Sequence, residues 1–292
     1  MSIWIKNLIF SLLLLSLISG CQKRHQDETR IAISPWIGYT PIYYAEEKGW
    51  LKDIGIKIIH TTSLHETVHY YQAGLIDAFV STQYEASLLK DYDLTHFMPL
   101  DRSNGGDIIL SNRSLSTIKN SKKIKSYFEI DSVNQIVFND FMNKYQLNNL
   151  YVEIQNRPQT MMKDLNPVQN EDIIIVTYEP YATFLKNKGF KEIASTKDSD
   201  IVVIDSLYFR NNHLLLQKEK SKLLINSIKK AYKVLNDNPK EFYNVVKFYL
   251  EGVSYSEFNN TLLGIEWLIN TSKEEFNSFY KKHDDIPKVE DI

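Results

Sequence analysis

One short motif in the chain has the residue types of a zinc hydrolase. Residues 65–69 read H-E-x-x-H. Two histidines four residues apart share one face of a helix, so His65 and His69 could bind Zn²⁺ with Glu66 as general base. Glu85 is the next candidate ligand along the chain. Against a catalytic role, Glu66 stands three residues after Ser63, the spacing of a helix capping box, which would give it a structural role. A zinc-dependent metallopeptidase is therefore kept only as an alternative hypothesis.

The single cysteine of the chain, Cys21, lies where a lipid-attachment signal requires it. Lys6 gives a positive start, and residues 8–18 are mostly apolar but too few to span a bilayer. The sequence Ile-Ser-Gly-Cys that follows resembles a bacterial lipobox. We therefore predict a signal peptide at residues 1–21, lipidation of Cys21, and a polar tether at residues 22–29. The mature protein is expected on the extracytoplasmic face of a bacterial cell envelope, attached to the membrane by this lipid.

Composition indicates an ordinary globular protein with no nucleic-acid partner. The 292 residues carry a net charge of −2, with 24% charged and 43% hydrophobic residues. Neither a basic footprint nor an acidic tail is present. The chain beyond Cys21 is long enough for one large domain or two lobes.

The elements that must position any site alternate between strands and helices. Short apolar or β-rich runs predict strands, and capping signals between them predict helices. The predicted strands are at residues 30–34, 56–60, 78–81, 96–100, 107–111, 124–129, 151–155, 172–176 and 201–205. After about residue 216 the pattern is helical to near the end. Alternation of this kind predicts an α/β fold rich in parallel strands.

Several segments together resemble the nitrate/sulfonate/taurine-type periplasmic solute-binding proteins. They are ISPWIGYTP at 33–41 with KGWL at 48–51, QAGLIDA at 72–78, RSNGGD at 102–107, VTYEPY at 176–181 and IVVID at 201–205. The resemblance implies a two-lobed periplasmic-binding-protein type II fold, each lobe a mostly parallel sheet flanked by helices. By analogy, lobe I comprises residues 30–111 and 200–292, and lobe II residues 112–199.

The resemblance also implies a function and its partners. Such proteins capture a small solute by closure of the lobes and deliver it to the permease and ATPase subunits of an ABC transporter. We expect a monomer without cofactor or enzymatic activity, whose lobes move about crossovers near residues 108–112 and 198–203. A ligand-binding sensor is an alternative. Enzymes of this fold, of the chorismate-dehydratase or pyrimidine-synthase type, are disfavoured by the export signal.

Ligands of open α/β sheets bind beyond the carboxyl ends of the strands, and these positions coincide with the family's cleft-facing segments. Trp36 and Tyr39 add flat aromatic surface beside Gly38, where the backbone can approach a solute closely. The predicted ligand-binding residues are Ser34, Trp36, Tyr39, Thr82, Asn104, Ser132, Glu179 and Asp205.

The charge of the solute stays open at this point. Helix N-termini at residues 39–40 and 132–133 could hold a sulfonate, a nitrate-like anion or a carboxylate. Glu179 and Asp205 would instead favour an amine or a cationic heterocycle, such as a thiamine-precursor pyrimidine, or the amine of taurine. Each of these residues also has a structural interpretation, since Ser132 and Glu179 could cap helices and Asp205 could brace the hinge.

Overall fold

The computed structural model describes residues 28–211, 213, 217–283 and 286–289, and their strands form two sheets. The described strands, in chain order, are β1 (Thr29–Ile33), β2 (Ile56–His60), β3 (Ala78–Thr82), β4 (Leu94–Ser103), β5 (Asp107–Ser111), β6 (Lys123–Phe128), β7 (Tyr151–Asn156), β8 (Ile173–Tyr178), β9 (Lys191–Ser195), β10 (Val203–Arg210) and β11 (Ile265–Trp267). The first sheet has the order β11-β4-β10-β3-β1-β2, and the second β7-β6-β8-β5-β9.

Helices flank both sheets. The described α-helices are α1 (Thr40–Glu47), α2 (Trp50–Asp53), α3 (Leu64–Gln72), α4 (Gln83–Ser87), α5 (Leu115–Lys119), α6 (Val133–Lys144), α7 (Tyr181–Asn187), α8 (Lys218–Asp237), α9 (Pro239–Val246), α10 (Tyr255–Thr261) and α11 (Lys273–Phe279). Short 3₁₀ turns lie at Ile37–Tyr39, Gln159–Asp164, Thr196–Asp198, Lys247–Tyr249 and Leu262–Gly264. We call the first sheet with α1–α4 and α8–α11 the first lobe, and the second sheet with α5–α7 the second lobe.

Both sheets are mixed, whereas mostly parallel sheets were expected. In the first sheet β1 pairs in parallel with β2 and β3, but β10 runs antiparallel to β3 and β4. In the second, β6 pairs in parallel with β7 and β8, but β5 runs antiparallel to β8 and β9. Strands β5 and β10, which each run antiparallel to both of their neighbours, directly follow a crossing between lobes. A buried apolar run does not reveal its direction, so the sequence pattern could not predict this.

The first crossing lies earlier than the expected lobe boundary at residue 111. Strand β5 hydrogen-bonds within the second sheet, so the chain leaves the first lobe between Ser103 and Asp107. It returns between Ser195 and Val203. Strand β11 also departs from expectation, because it places an edge strand of the first sheet in the region predicted to be helical.

The apolar pattern of the sequence accounts for the packing of the first lobe. All five residues of β3 are buried, consistent with a central strand covered on both faces. Helix α8 buries Leu224, Ile228 and Leu235 on one face and contacts α1. Full burial of such a side chain contributes about 1.5–3 kcal/mol before conformational entropy is subtracted.

The predicted signal peptide, the lipidation of Cys21 and most of the predicted tether lie outside the described residues. In the part of the chain that the structure describes, no helix has both the length and the apolar character needed to cross a membrane.

Candidate functional site

A small pocket lies between the two sheets, where β1, β3 and β8 end. It encloses about 10 Å³, about the space that one water molecule needs. The lining residues come from both lobes: Ser34, Trp36, Tyr39, Leu64, Thr82, Asp107, Val133, Tyr178 and Asp205. Five of the eight predicted ligand-binding residues are among them.

The loop after β1 brings two aromatic side chains into the pocket and fixes each with a carboxyl group. The Trp36 Nε1–H donates to Asp101 Oδ1 at 3.1 Å, and the Trp36 ring stands edge-on to Tyr178 with centroids 5.6 Å apart. The Tyr39 hydroxyl donates to Asp205 Oδ1. A Cβ on Gly38 would collide with the Asp101 carboxyl and the Trp36 indole, so this close packing requires glycine.

Three carboxyl groups cluster beneath this loop, and none of them has a basic partner among the described residues. Asp101, Asp107 and Asp205 are each at most 3% exposed, and none of the described residues that line the pocket is Lys or Arg. Burial raises the pKa of Asp101 and of Asp205, and the charges of neighbouring carboxylates raise both further. Burial, with the nearby charge of Glu85, raises the pKa of Asp107 to about 7. The site is therefore short of positive charge.

Some buried polar atoms in and beside the pocket have no hydrogen-bond partner among the described residues. The hydroxyls of Ser34 and Tyr178 and the Oδ2 atom of Asp101 are buried, and no described residue hydrogen-bonds to them. Buried polar atoms are nearly always paired, so unpaired ones facing a pocket indicate a place where a solute or water binds.

The N-terminus of α6 enters the pocket from the second lobe, and a carboxylate of the first lobe already occupies it. The Val133 N–H donates to Glu85 Oε1 at 2.7 Å. Glu85 Oε2 accepts hydrogen bonds from the hydroxyls of Ser81, at 3.2 Å, and Thr82. A carboxylate was among the anions expected at residues 132–133, and here it belongs to the protein itself.

A reciprocal contact joins the N-terminus of α3, in the first lobe, to a carboxylate of the second. The His65 N–H donates to Glu129 Oε1 at 2.9 Å. Burial raises the pKa of Glu129 to about 7. The N–H groups of Tyr39 and Thr40, also considered for an anion, instead bond to the carbonyls of Trp36 and Ile37. The helix N-termini near the pocket are thus already satisfied by the protein.

Three predicted ligand-binding residues do not line the pocket. Asn104 is exposed in the turn between β4 and β5, where its N–H donates to the Gly264 carbonyl. The Ser132 hydroxyl accepts the Asn134 N–H and so caps α6. Glu179 Oε2 accepts the Thr183 N–H at the start of α7. For Ser132 and Glu179, the capping interpretation describes the observed contacts.

The structure does not assemble the zinc site considered for the H-E-x-x-H motif. The rings of His65 and His69 are neighbours, with centroids 4.2 Å apart, but the Glu85 carboxylate is engaged by Val133, Ser81 and Thr82. Glu66 accepts hydrogen bonds from Thr62 and Tyr70. Among the described residues, no group of three or more His, Cys, Asp or Glu side chains is arranged to hold a metal ion.

Sequence reasoning missed Asp101, Asp107 and Tyr178. Asp101 directly follows the predicted end of β4 at residue 100, but residues 102–104 were selected there and Asn104 was chosen; the strand in fact continues to Ser103. Asp107 begins β5 and Tyr178 ends β8, and both lie inside segments that carry the family resemblance, 102–107 and 176–181. Strand alternation, applied to the correct strand ends, was the signal that could have identified them.

Solved structures with this fold include solute-binding proteins. The ligand binding component of an ABC-type import system from Staphylococcus aureus, solved with zinc bound, aligns with a TM-score of 0.68 and 12% identity over 88% of this chain and 92% of that chain. The alkanesulfonate-binding protein SsuA from Xanthomonas axonopodis pv. citri, bound to MOPS, aligns with a TM-score of 0.66 and 10% identity over 90% of this chain and 95% of that chain. A Candida albicans protein described as having the generic periplasmic binding protein structural fold aligns with a TM-score of 0.61 and 13% identity over 82% of this chain and 81% of that chain. The predicted two-lobed periplasmic-binding-protein fold is confirmed.

The family follows from the sequence. A family model described as NMT1/THI5 like matches residues 36–242, more than half of the 292-residue chain. The chain belongs to this family, which confirms the resemblance found in its segments. No curated protein sequence matches the chain at a significant level.

Proposed function

We propose that this protein is the extracytoplasmic solute-binding component of an ABC importer, anchored by a lipid on Cys21 once its signal peptide is removed. Its family and fold support the class, and the sequence around Cys21 supports the anchor. Its partners are then a permease and an ATPase that receive the solute. The protein itself binds and releases the solute without altering it.

The solute proposed for the pocket is a small organic cation, such as a protonated amine or aminopyrimidine. The observation that carries this assignment is the cluster of Asp101, Asp107 and Asp205, which are buried and have no basic partner in the described part of the chain. A cation among these groups lowers their pKa values, so they ionise and form charge-assisted hydrogen bonds with it. Trp36 and Tyr178 supply ring faces and edges against which a flat or methylated cation can pack.

The same groups disfavour two of the candidate solutes. Nitrate and simple alkanesulfonates carry only negative charge, and they would meet carboxyl groups with no Lys or Arg among the described lining residues. A thiamine-precursor pyrimidine carries a basic amino-substituted ring, and taurine carries an ammonium group. The pyrimidine fits best, because it brings a flat ring and positive charge without a sulfonate.

Solute capture requires the two lobes to separate and close. A space of about 10 Å³ cannot admit a molecule of several non-hydrogen atoms while the lining residues keep these positions. In the proposed cycle a solute docks on the first-lobe residues, and Val133 and Tyr178 then close over it. The closed form gains only as much stability as the difference in the solute's affinity for the two forms.

Calorimetric titration of the purified protein with cationic, zwitterionic and anionic compounds tests whether the solute is a cation. The compounds are a thiamine-precursor pyrimidine, a tetramethylammonium salt, taurine, ethanesulfonate and nitrate. We expect binding of at least one cationic compound and none of nitrate or ethanesulfonate. Asp205→Asn should weaken cation binding about tenfold or more, because one charge-assisted hydrogen bond is lost.

Asp164→Asn is the matched control, since Asp164 is an exposed carboxylate of the second lobe. It should leave the affinity unchanged. Binding of nitrate or ethanesulfonate with no response to the cations would overturn the assignment of charge. Equal affinity of the Asp205→Asn variant and the wild type would remove Asp205 from the site.

A further inference from the structure

The hydrogen bonds at the N-terminus of α6 hold a carboxylate from the opposite lobe, that of Glu85, against two residues that line the pocket, Val133 and Thr82. The first N–H of the helix, that of Val133, donates to Glu85 Oε1 at 2.7 Å. The next N–H, that of Asn134, donates to the Ser132 hydroxyl at 3.1 Å. Because Val133 lines the pocket, its N–H is the group that an anionic solute would seek there.

Glu85 is built into this position and is not a loose surface charge. Its side chain is fully buried. Its second oxygen, Oε2, accepts from the hydroxyls of Ser81 and Thr82. Both carboxylate oxygens are therefore held, and the acidic group cannot swing away without leaving three donors unpaired.

We propose that Glu85 is a specificity-determining residue: its carboxylate takes the place at the N-terminus of α6 that the oxygens of an anionic solute would need. This inference rests on the proposed function, since it explains why the pocket admits a cation. A sulfonate entering the pocket would find the Val133 N–H already hydrogen-bonded to Glu85, and its negative charge would be repelled by that carboxylate. A cation finds Glu85 as one further acidic neighbour beside Asp107.

Removing the Glu85 side chain beyond Cβ should expose the helix N-terminus to small anions from solution. Acetate is the probe, because its methyl and carboxyl groups match the atoms that Glu85→Ala deletes. We expect the Glu85→Ala variant to be stabilised against heat by sodium acetate relative to sodium chloride at equal ionic strength. The expected affinity for acetate exceeds that of the wild type by a factor of about 10 to 100, as for one charge-assisted hydrogen bond.

The titration is run at pH 6, since burial raises the pKa of Asp107 to about 7 and the group is then largely protonated. The amide resonance of Val133 should shift with acetate in Glu85→Ala and stay fixed in the wild type. Ethanesulfonate, which the wild type should reject, should bind the variant as well. The Glu85→Gln variant should respond to neither anion, because its amide still fills the position.

Glu129→Ala is the matched control, since it deletes the reciprocal carboxylate at α3, and the N–H group that it exposes belongs to His65, which does not line the pocket. It should not acquire ethanesulfonate binding. If Glu85→Ala unfolds in chloride, recovery of the folded protein in acetate supports the proposal and no recovery overturns it. A folded Glu85→Ala protein indifferent to acetate also overturns it. Failure of the wild type to bind any cation contradicts the proposed function alone, because the acetate response of the variant is measured separately.

Discussion

The buried carboxyl groups give individual residues a measurable effect on stability. Burial raises the pKa of Asp107 and that of Glu129 to about 7 each, from about 4 in an unfolded chain. Between these values the folded state binds more protons than the unfolded state, so stability falls as pH rises. The raised pKa values of Asp101, Asp205 and Glu85, each caused first by burial, act in the same direction.

We therefore predict that the free energy of unfolding decreases from about pH 4 to about pH 8, the range between the ordinary carboxyl pKa and the raised pKa of about 8 at Asp101. Urea denaturation at several pH values measures it. In the Glu129→Gln variant, the total decrease in the free energy of unfolding across this pH range should be smaller by about 1 kcal/mol or more. Asp164→Asn should leave the slope unchanged. Stability that increases across this range would contradict the assignment of raised pKa values.

Ser132 and Ser34 have different contacts, which indicate a helix-capping role for Ser132 and a solute-binding role for Ser34. The Ser132 hydroxyl donates to the Glu129 carbonyl at 2.7 Å and accepts the Asn134 N–H, so all its contacts are local to α6. The Ser34 hydroxyl lines the pocket, is buried, and has no partner among the described residues.

Ser132→Ala should therefore lower the free energy of unfolding by about 1 kcal/mol through loss of the helix cap and leave cation affinity unchanged. Ser34→Ala should change stability little and weaken cation binding about tenfold, the effect of one lost hydrogen bond. Chemical denaturation and calorimetry of both variants measure these effects. The reverse pattern would mean that Ser132 contacts the solute directly.

At the scale of elements, strands with strong apolar runs were predictable and weak edge strands were not. Strands β2 and β5 have the predicted bounds. Strand β9, with the sequence KEIAS, is too polar to predict, and β11 has three residues, too few to show a period. Direction and pairing depend on contacts between distant segments, which one strand's residues do not encode locally.

The errors in the candidate site follow from the same element boundaries. Strand β4 extends three residues beyond the predicted end, which puts Asp101 beside the pocket and moves Asn104 into the crossover turn. Tyr178 and Glu179 are adjacent, and successive residues at a strand end point in opposite directions. Sequence position identified the correct segments. Which side chain of each segment faces the pocket depends on a register of one residue.

At the scale of the whole molecule, contacts across the cleft hold the two lobes together around a pocket too small for a solute. Besides the two carboxylate–helix contacts, Lys163 of the second lobe pairs with Glu251 of the first at 3.0 Å. The Ile37 N–H donates to the Glu179 carbonyl at 3.2 Å. Entry of a solute therefore requires these contacts to break together.

A cross-link between the lobes should consequently block binding. Thr160 of the second lobe and Thr62 of the first approach within 3.5 Å, from hydroxyl to carbonyl oxygen. We predict that a Thr62→Cys, Thr160→Cys variant loses cation binding when joined by a short bis-maleimide and retains it otherwise, as calorimetry can measure. Single-cysteine variants treated with the same reagent control for modification, including that of Cys21. Normal association with the joined protein would mean that a solute enters without separation of the lobes.

The position of Trp36 makes the protein its own optical reporter. The chain has four tryptophans, and this indole lies against a carboxyl group and edge-on to Tyr178 inside the pocket, whereas Trp50 stacks with Lys230 and Trp267 packs beside Tyr232. Carboxyl ionisation and solute contact both change the electric field across the indole, so its emission should change in wavelength and intensity as the pocket fills. The emission of a Trp36→Phe variant, which comes from the remaining tryptophans, should not change when the solute binds. Solutes could then be screened by light alone, on unlabelled protein.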